Sequence, residues 1–583
     1  MAMTFRAPNR VSVASVAACA ALALASCASV SAGGDRGLTV ATEVVQPSSP
    51  YGLYLAGRSA FARGDADQAA GLFERASSQD REAPFLAQQA FSAALAAGNV
   101  TRAAEIAPPV GGSDDALGQL GLLTRGVEAL ATGHGDDAYT LLTSRDVGLP
   151  HRGGVALLVP WAAAAAGRAA VSSTAPDVGG DAVAQYYGQL GQAHLLERAG
   201  RMSAAEEIYR ALLAQVDVDG LVTQGLGAFL ERRGRWSEAV AAYDAASAAN
   251  PVDPQFVSAR TRAMAHRIRP PMLTALQGGA QALVGPAQGF IVTRRNDLAL
   301  SYLQLALRLD PQRPDALVLL GDVLNAQGDG EGARSAYGRV QSGSAQFFIA
   351  RSKMAWSFFH TGDPARGITE ARGLAAAAPV SSGASLTLAE MLRMQGRYDE
   401  AAQVITRVID DPSARRDWRL FYMRANAQDQ GGRVADAQAD LQRGLEISPQ
   451  QPELLNLLAY TWIERGERLD EAMAMVRAAA AASPQSGQIQ DSLGWGHYRQ
   501  GDFANAVEAL ERAASLEPAN ARINDHLGDA YWRAGRRVEA VFQWRRALSL
   551  QPTATLRAAV EGKIASPLGP DAPPVSAPAA TAS

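Results

Sequence analysis

Small and apolar residues recur along this chain with a period of about 34 positions, the length of a two-helix repeat. Near the C-terminus, Leu493–Pro518 reads LGWGHYRQGDFANAVEALERAASLEP and Leu527–Pro552 reads LGDAYWRAGRRVEAVFQWRRALSLQP. Within the second unit, Leu527, Gly528 and Tyr531 share one face of a first helix, and Gly535 marks a turn. Ala540, Trp544 and Ala547 are spaced i, i+4, i+7 on a second helix, which Pro552 ends. The small residues Gly528 and Ala540 are placed where two helix axes cross closely. A larger side chain there would overpack the crossing at a cost of ~1–3 kcal/mol. Unrelated helices of a globular bundle would not keep register from Pro484 to Pro518 to Pro552.

The order of a small residue, an aromatic three positions on, a turn glycine, then Ala, an aromatic or Leu, Ala and Pro resembles the tetratricopeptide repeat (TPR) family. Gly227, Gly234, Ala239, Tyr243, Ala246 and Pro251 fit it, as do Gly321, Leu324, Gly328, Ala333 and Tyr337. Looser copies begin at Gly57, Gly64, Ala69 and Phe73. About thirteen to fifteen units follow this period. The resemblance implies an all-α fold, a TPR-type α-solenoid of helix–turn–helix repeats wound as a right-handed superhelix. The expected division is an N-terminal arm of degenerate repeats at 51–250 and a C-terminal arm at 275–552. Between them, 251–274 breaks register with Pro251, Pro254, Pro270 and Pro271 around a basic helix (Arg260, Arg262, His266, Arg267, Arg269), and reads as a hinge or misfit repeat. That helix is expected to be a solvated charged face.

Composition narrows the picture. Hydrophobic residues make up 48% of the 583 positions but aromatics only 6%, which suits thin helix–helix seams. The net charge of −4 gives no broad basic surface for nucleic acid. Lys353 and Lys563 are the only lysines. Residues 1–27 read as a processing signal: Arg6 and Arg10, the apolar run Val11–Ala25, then Leu24-Ala25-Ser26-Cys27. These last four residues resemble a bacterial lipobox, which implies lipidation at Cys27, and Ala28 after it implies retention at the outer membrane, facing the periplasm. Residues 28–50 read as a flexible tether and 553–583 as a Pro/Ala-rich disordered tail.

No catalytic chemistry is expected. None of the seven histidines is followed by Glu, and no phosphate loop or G-x-S-x-G elbow occurs. His497 and His526 are 29 residues apart, less than a repeat, which places them on different faces. The expected site is a partner-binding groove on the first helices of the last repeats: Tyr422, Asn426, Asn456, Tyr460, Asp491, Trp495, Tyr498, Arg499, Asp525, Asp529, Trp532 and Arg533. Asn and Asp can bond an extended backbone, while Trp and Tyr supply rigid apolar area. Asp491, Asp525 and Asp529 are expected to face solvent, and Trp495 and Trp532 to lie either in the groove or in the seam between units. Residues Asn456–Leu550 also resemble the C-terminal repeats of bacterial envelope TPR lipoproteins. This implies a non-enzymatic scaffold or adaptor with protein partners, no cofactor and no metal, among them a periplasmic carboxy-terminal processing protease and its substrates. The alternative is a structural component of a polysaccharide-export or outer-membrane assembly complex.

Overall fold

The computed structural model describes residues 49–111, 115–215, 220–249, 256–266, 268–377, 382–411 and 417–566. The expected signal at 1–27 with Cys27, nearly all of the expected tether at 28–50, and 567–583 lie outside the described residues. Thirty α-helices and no strands make up the described chain. Twenty-eight of them form fourteen antiparallel pairs, and Val257–Ala265 and Ala554–Ala565 stand outside the pairing.

Each pair is set by one close crossing. A Cβ placed on Gly528 would lie 2.5 Å from the Trp544 indole, and one on Gly494 would lie 2.6 Å from Leu510. The same holds for Gly57 against Phe73, Gly126 against Leu142, Gly227 against Tyr243 and Gly321 against Tyr337. In all six pairs the glycine precedes its partner by sixteen residues, so the small site and the large side chain are one packing device repeated along the stack.

The turn between the paired helices is also uniform. A residue with positive φ closes the first helix, most often glycine, as at Gly64 (84°) and Gly328 (87°). At the same place in the pair Ala275–Leu309, the residue is Arg294, with φ 58°. An L side chain in this region costs ~1–2 kcal/mol, of which glycine's larger unfolded-state entropy returns part. Arg294→Gly is therefore expected to stabilise the protein by about 0.5–1 kcal/mol, read as a higher urea midpoint.

The packing does not follow the two arms expected from sequence. Helix Arg152–Ala165 packs directly on Ala275–Val292, and Asn296–Leu309 packs on Ala116–Ala131 and Pro84–Ala96. Arg308 grips Glu128 with two hydrogen bonds of 2.8 and 3.0 Å, and the Gln304 amide donates to the Ala96 carbonyl at 3.1 Å. One apolar core thus runs from Ala60 to Ala162 and resumes at Ala280. The intervening helices, Ala182–Ala265, form a branch with a core of their own around Tyr209, Phe229 and Tyr243. Trp161 sits at the junction: a Cβ on Gly278 would lie 2.1 Å from its ring, and Leu157, Tyr187 and Leu195 surround it.

The described part of the 251–274 segment belongs to the branch and does not hinge two arms. Phe256 stacks on Tyr243, Arg262 pairs with the fully buried Glu231, and Arg260 pairs with Asp244. Its basic helix is thus partly an internal ion-pair face.

Candidate binding surfaces

Two regions bear on the binding of a partner. The first was not visible in the sequence. The turn after Pro50–Ala62, the helices Pro84–Ala96, Ala116–Ala131 and Asn296–Leu309, and the pair Pro314–Gly338 line a groove of about 750 Å³. Its floor is apolar, with Leu117, Leu120, Leu298, Leu300, Leu320 and Leu324. Four aspartates (Asp65, Asp67, Asp297, Asp329) face two arginines (Arg63, Arg339) around it. Asp65 and Asp329 are held by local bonds, accepting from the Gln68 and Gly332 amides at 3.0 and 2.8 Å. Asp67 and Asp297 lie in the first turns of their helices. A leucine floor under a net acidic rim suits an apolar chain segment with basic residues beside it.

The second region is the face expected from sequence. All twelve residues do lie on the first helices of the last four repeats. Their exposure differs from the expectation. Asp491, Asp525 and Asp529 are buried, as are Trp495 and Tyr498. Trp495 is stacked between Tyr498 (centroids 4.6 Å, 7°) and His526 (4.2 Å, 11°). The His526 Nδ1 lies 2.9 Å from Asp491 Oδ1. Trp544 Nε1 donates to Asp529 Oδ1 at 2.9 Å. Trp532 packs against Trp544, Arg533 lies over Phe503, and Arg499 donates to the Glu464 carbonyl at 2.8 Å. Tyr422, Asn426, Asn456 and Tyr460 are half-buried.

Asp525 and Asp529 also meet the terminal segment, expected as a disordered tail. Its residues 554–565 form a helix, N-capped by the Thr553 hydroxyl, which covers the last repeat and sends Lys563 to the acids. Electrostatics follow from that enclosure. Burial presses His526 down, but the Asp491 carboxylate and its hydrogen bond outweigh this and hold the imidazole above the usual histidine range. Burial pushes the Asp529 carboxyl up to about 6, against the pull of Lys563. His497 engages a different acid, Asp502, at 3.2 Å.

Among the described residues no group of three His, Cys, Asp or Glu is placed to hold a metal ion, and no helix is long and apolar enough to cross a membrane. Stacked helix pairs offering concave faces define a helical-repeat scaffold for binding other proteins. The chain belongs to the tetratricopeptide repeat family, whose pattern matches residues 190–254, 287–345, 352–415, 422–487 and 492–554, more than half of its length.

A TPR repeat-containing protein of Pseudomonas aeruginosa is 32% identical over 96 residues, 16% of each chain, so this chain spans about a sixth of that relative's length. Among solved structures, the Cut9-Hcn1 hetero-tetramer of APC/C is 14% identical, with a TM-score of 0.37 over 90% of this chain and 97% of that one. A thermophilic TPR protein of Thermus thermophilus is 23% identical, with a TM-score of 0.28 over 31% and 97%. MamA from Desulfovibrio magneticus is 17% identical, with a TM-score of 0.25 over 29% and 93%. These likenesses concern the repeat fold alone.

Proposed function

We propose that the protein is a scaffold that holds an extended, apolar segment with a basic flank, supplied by another protein, in the groove between residues 61–120 and 297–339. The leucine floor with its excess of aspartates carries this reading. The lipobox ending at Cys27 supports anchorage by lipid at the outer membrane, with the repeats in the periplasm. The resemblance of Asn456–Leu550 to envelope TPR lipoproteins supports a role as adaptor that feeds or activates a carboxy-terminal processing protease.

Affinity capture from a detergent extract tests this. Asp67→Arg with Asp297→Arg reverses two rim charges that cap no helix and pair with nothing named above. Retention of the captured partner should fall about tenfold relative to the unaltered chain, as reversal of rim charges weakens encounter. Unchanged retention would remove the groove from the binding surface. Recovery of a processing protease in the unaltered capture is the outcome expected for the adaptor role. Its consistent absence, with export or assembly subunits recovered instead, favours the structural alternative.

A further inference from the structure

The outward stripe of the first helix, Pro50–Ala62, begins apolar. Tyr51 is 71% exposed, and Leu55, one turn on, is 48% exposed. Phe85, in the first turn of Pro84–Ala96, is 49% exposed and meets the half-buried Tyr54 edge-on at 5.6 Å. Tyr54 neighbours both Tyr51 and Leu55 on its helix, so the four side chains form one patch where the two helices begin. The terminal repeat of an open stack ordinarily turns a polar face outward. A contiguous apolar patch in that position marks a surface that something covers.

Charge and chain path say what the cover is. Arg58, whose Nη1 lies 3.4 Å from the Tyr54 hydroxyl, follows on the same helix. Asp80, Arg81 and Glu82 form the turn before Phe85. Two cations against two anions leave the surroundings without net charge, so the patch offers apolar area and tyrosine hydroxyls and no electrostatic attraction. Tyrosine is the residue type that settles at the headgroup level of a bilayer, with the ring in the apolar boundary and the hydroxyl in water. Tyr51 stands 24 positions after Cys27, the residue of the lipobox. Other exposed apolar side chains, such as Val538 and Phe542, lie near the opposite end of the chain.

We infer that the patch of Tyr51, Tyr54, Leu55 and Phe85 docks the first repeat on the lipid bilayer, as a contact additional to the lipid at Cys27. The inference rests on the anchorage proposed above. Attachment at Cys27 makes this second contact intramolecular, so a small apolar area suffices where it would not hold a free protein. The leucine-floored groove begins at Phe61, ten residues along the same helix and about 15 Å from Tyr51. Docking therefore holds the first-repeat edge of that groove close to the membrane surface and fixes the direction in which the stack leaves it.

The test reconstitutes the full chain, purified from its own membranes, into vesicles of phosphatidylethanolamine and phosphatidylcholine. A nitroxide is carried at Leu55→Cys or, as the control, at Val538→Cys, and mass spectrometry of the N-terminal peptide reports acylation at Cys27 independently. Oxygen concentrates in lipid and a nickel chelate stays in water. The ratio of their effects should be severalfold higher at 55 than at 538. Tyr51→Asp with Phe85→Asp should bring the two labels to one ratio, with acylation and helical content unchanged. Adding phosphatidylglycerol should change nothing, given the balanced charges. An acylated chain whose label at 55 reads as that at 538 overturns the docking and leaves the anchorage standing, whereas a chain without acyl groups overturns both. A requirement for phosphatidylglycerol also overturns it. So does a label at 55 shielded from both agents, or coupled to that of a second copy, since residues 28–48 or another chain would then be the cover.

Discussion

Acidification from pH 7 to 4.5 is expected to weaken the first half of the stack while the last two repeats hold or gain stability. Two histidines, His151 buried and His194 half-buried, produce the first effect. His151 Nδ1 lies 3.0 Å from the Tyr302 hydroxyl, and His194 Nδ1 lies 2.8 Å from that of Tyr209. Burial, then Arg295, lowers His151 to about 4; burial, then Arg232 and Arg313, lowers His194 to about 3. The folded protein keeps both neutral, whereas the unfolded chain protonates them near pH 6.5. Their contribution is fully present above that pH and is lost as the pH falls toward 4 and 3. For His151 alone the loss by pH 4 is on the order of 3 kcal/mol, from the shift at 1.36 kcal/mol per unit.

The last repeats carry the opposite sign. His526 and Asp529 are both raised, so each adds stability below its folded value and loses it as the pH rises through that value. Carboxylates held low by arginines, such as Glu128 and Glu206, contribute to acid loss only below the ordinary carboxylate range. Between about pH 6.5 and 4.5 the histidines and Asp529 respond, while the carboxylates held low by arginines do not. Regional hydrogen exchange, corrected for the intrinsic pH dependence, reads the difference. His151→Asn with His194→Asn keeps an acceptor near each tyrosine and should flatten the response in residues 84–309. An acid response of equal size in residues 487–549 would show that these groups do not govern it.

Trp161→Ala is expected to destabilise the protein by ~3–5 kcal/mol, the range for removing a buried aromatic. The indole is 2% exposed and joins three helices that are distant in sequence, Arg152–Ala165, Ala182–Arg198 and Ala275–Val292. Gly278 admits the ring only because it lacks a Cβ, and Gly191 lies beside the indole Nε1. A cavity there should release the branch before the main stack. Urea unfolding should split into two transitions, and limited proteolysis should cut first within 182–274. A single transition with unchanged midpoint would mean that the branch is held elsewhere.

The local device of the fold was legible in the sequence, and its long-range assembly was not. Gly528 with Trp544 and the turn at Gly535 could be read directly, because a helix crossing and a left-handed turn each demand a residue type within a few positions. The docking of Arg152–Ala165 onto Ala275–Val292 has no periodic signature. Its one trace is the pair Gly278-Gly279 inside a helix, where glycine is costly unless another group approaches closely.

The acids of the last repeat were placed on the correct helix, but the cation that pairs with them came from residues 554–565. Thr553 as N-cap and Leu556, Val560 and Ile564 at i, i+4, i+8 were signals of a helix there, masked by the Pro/Ala-rich composition that follows. The leucine-floored groove left no trace in any one segment, since each repeat contributes only a few of its residues.

The most direct test of the scaffold reading is a photo-crosslinking residue at Ser301, in the wall of that groove, with a control at the exposed Val538 on the outer helix of the last repeat. In intact cells, irradiation is expected to join Ser301 to one partner protein through a single apolar segment flanked by Lys or Arg, with no such adduct at Val538. Equal adducts at both positions, or none at Ser301 while the protein remains folded, would contradict it.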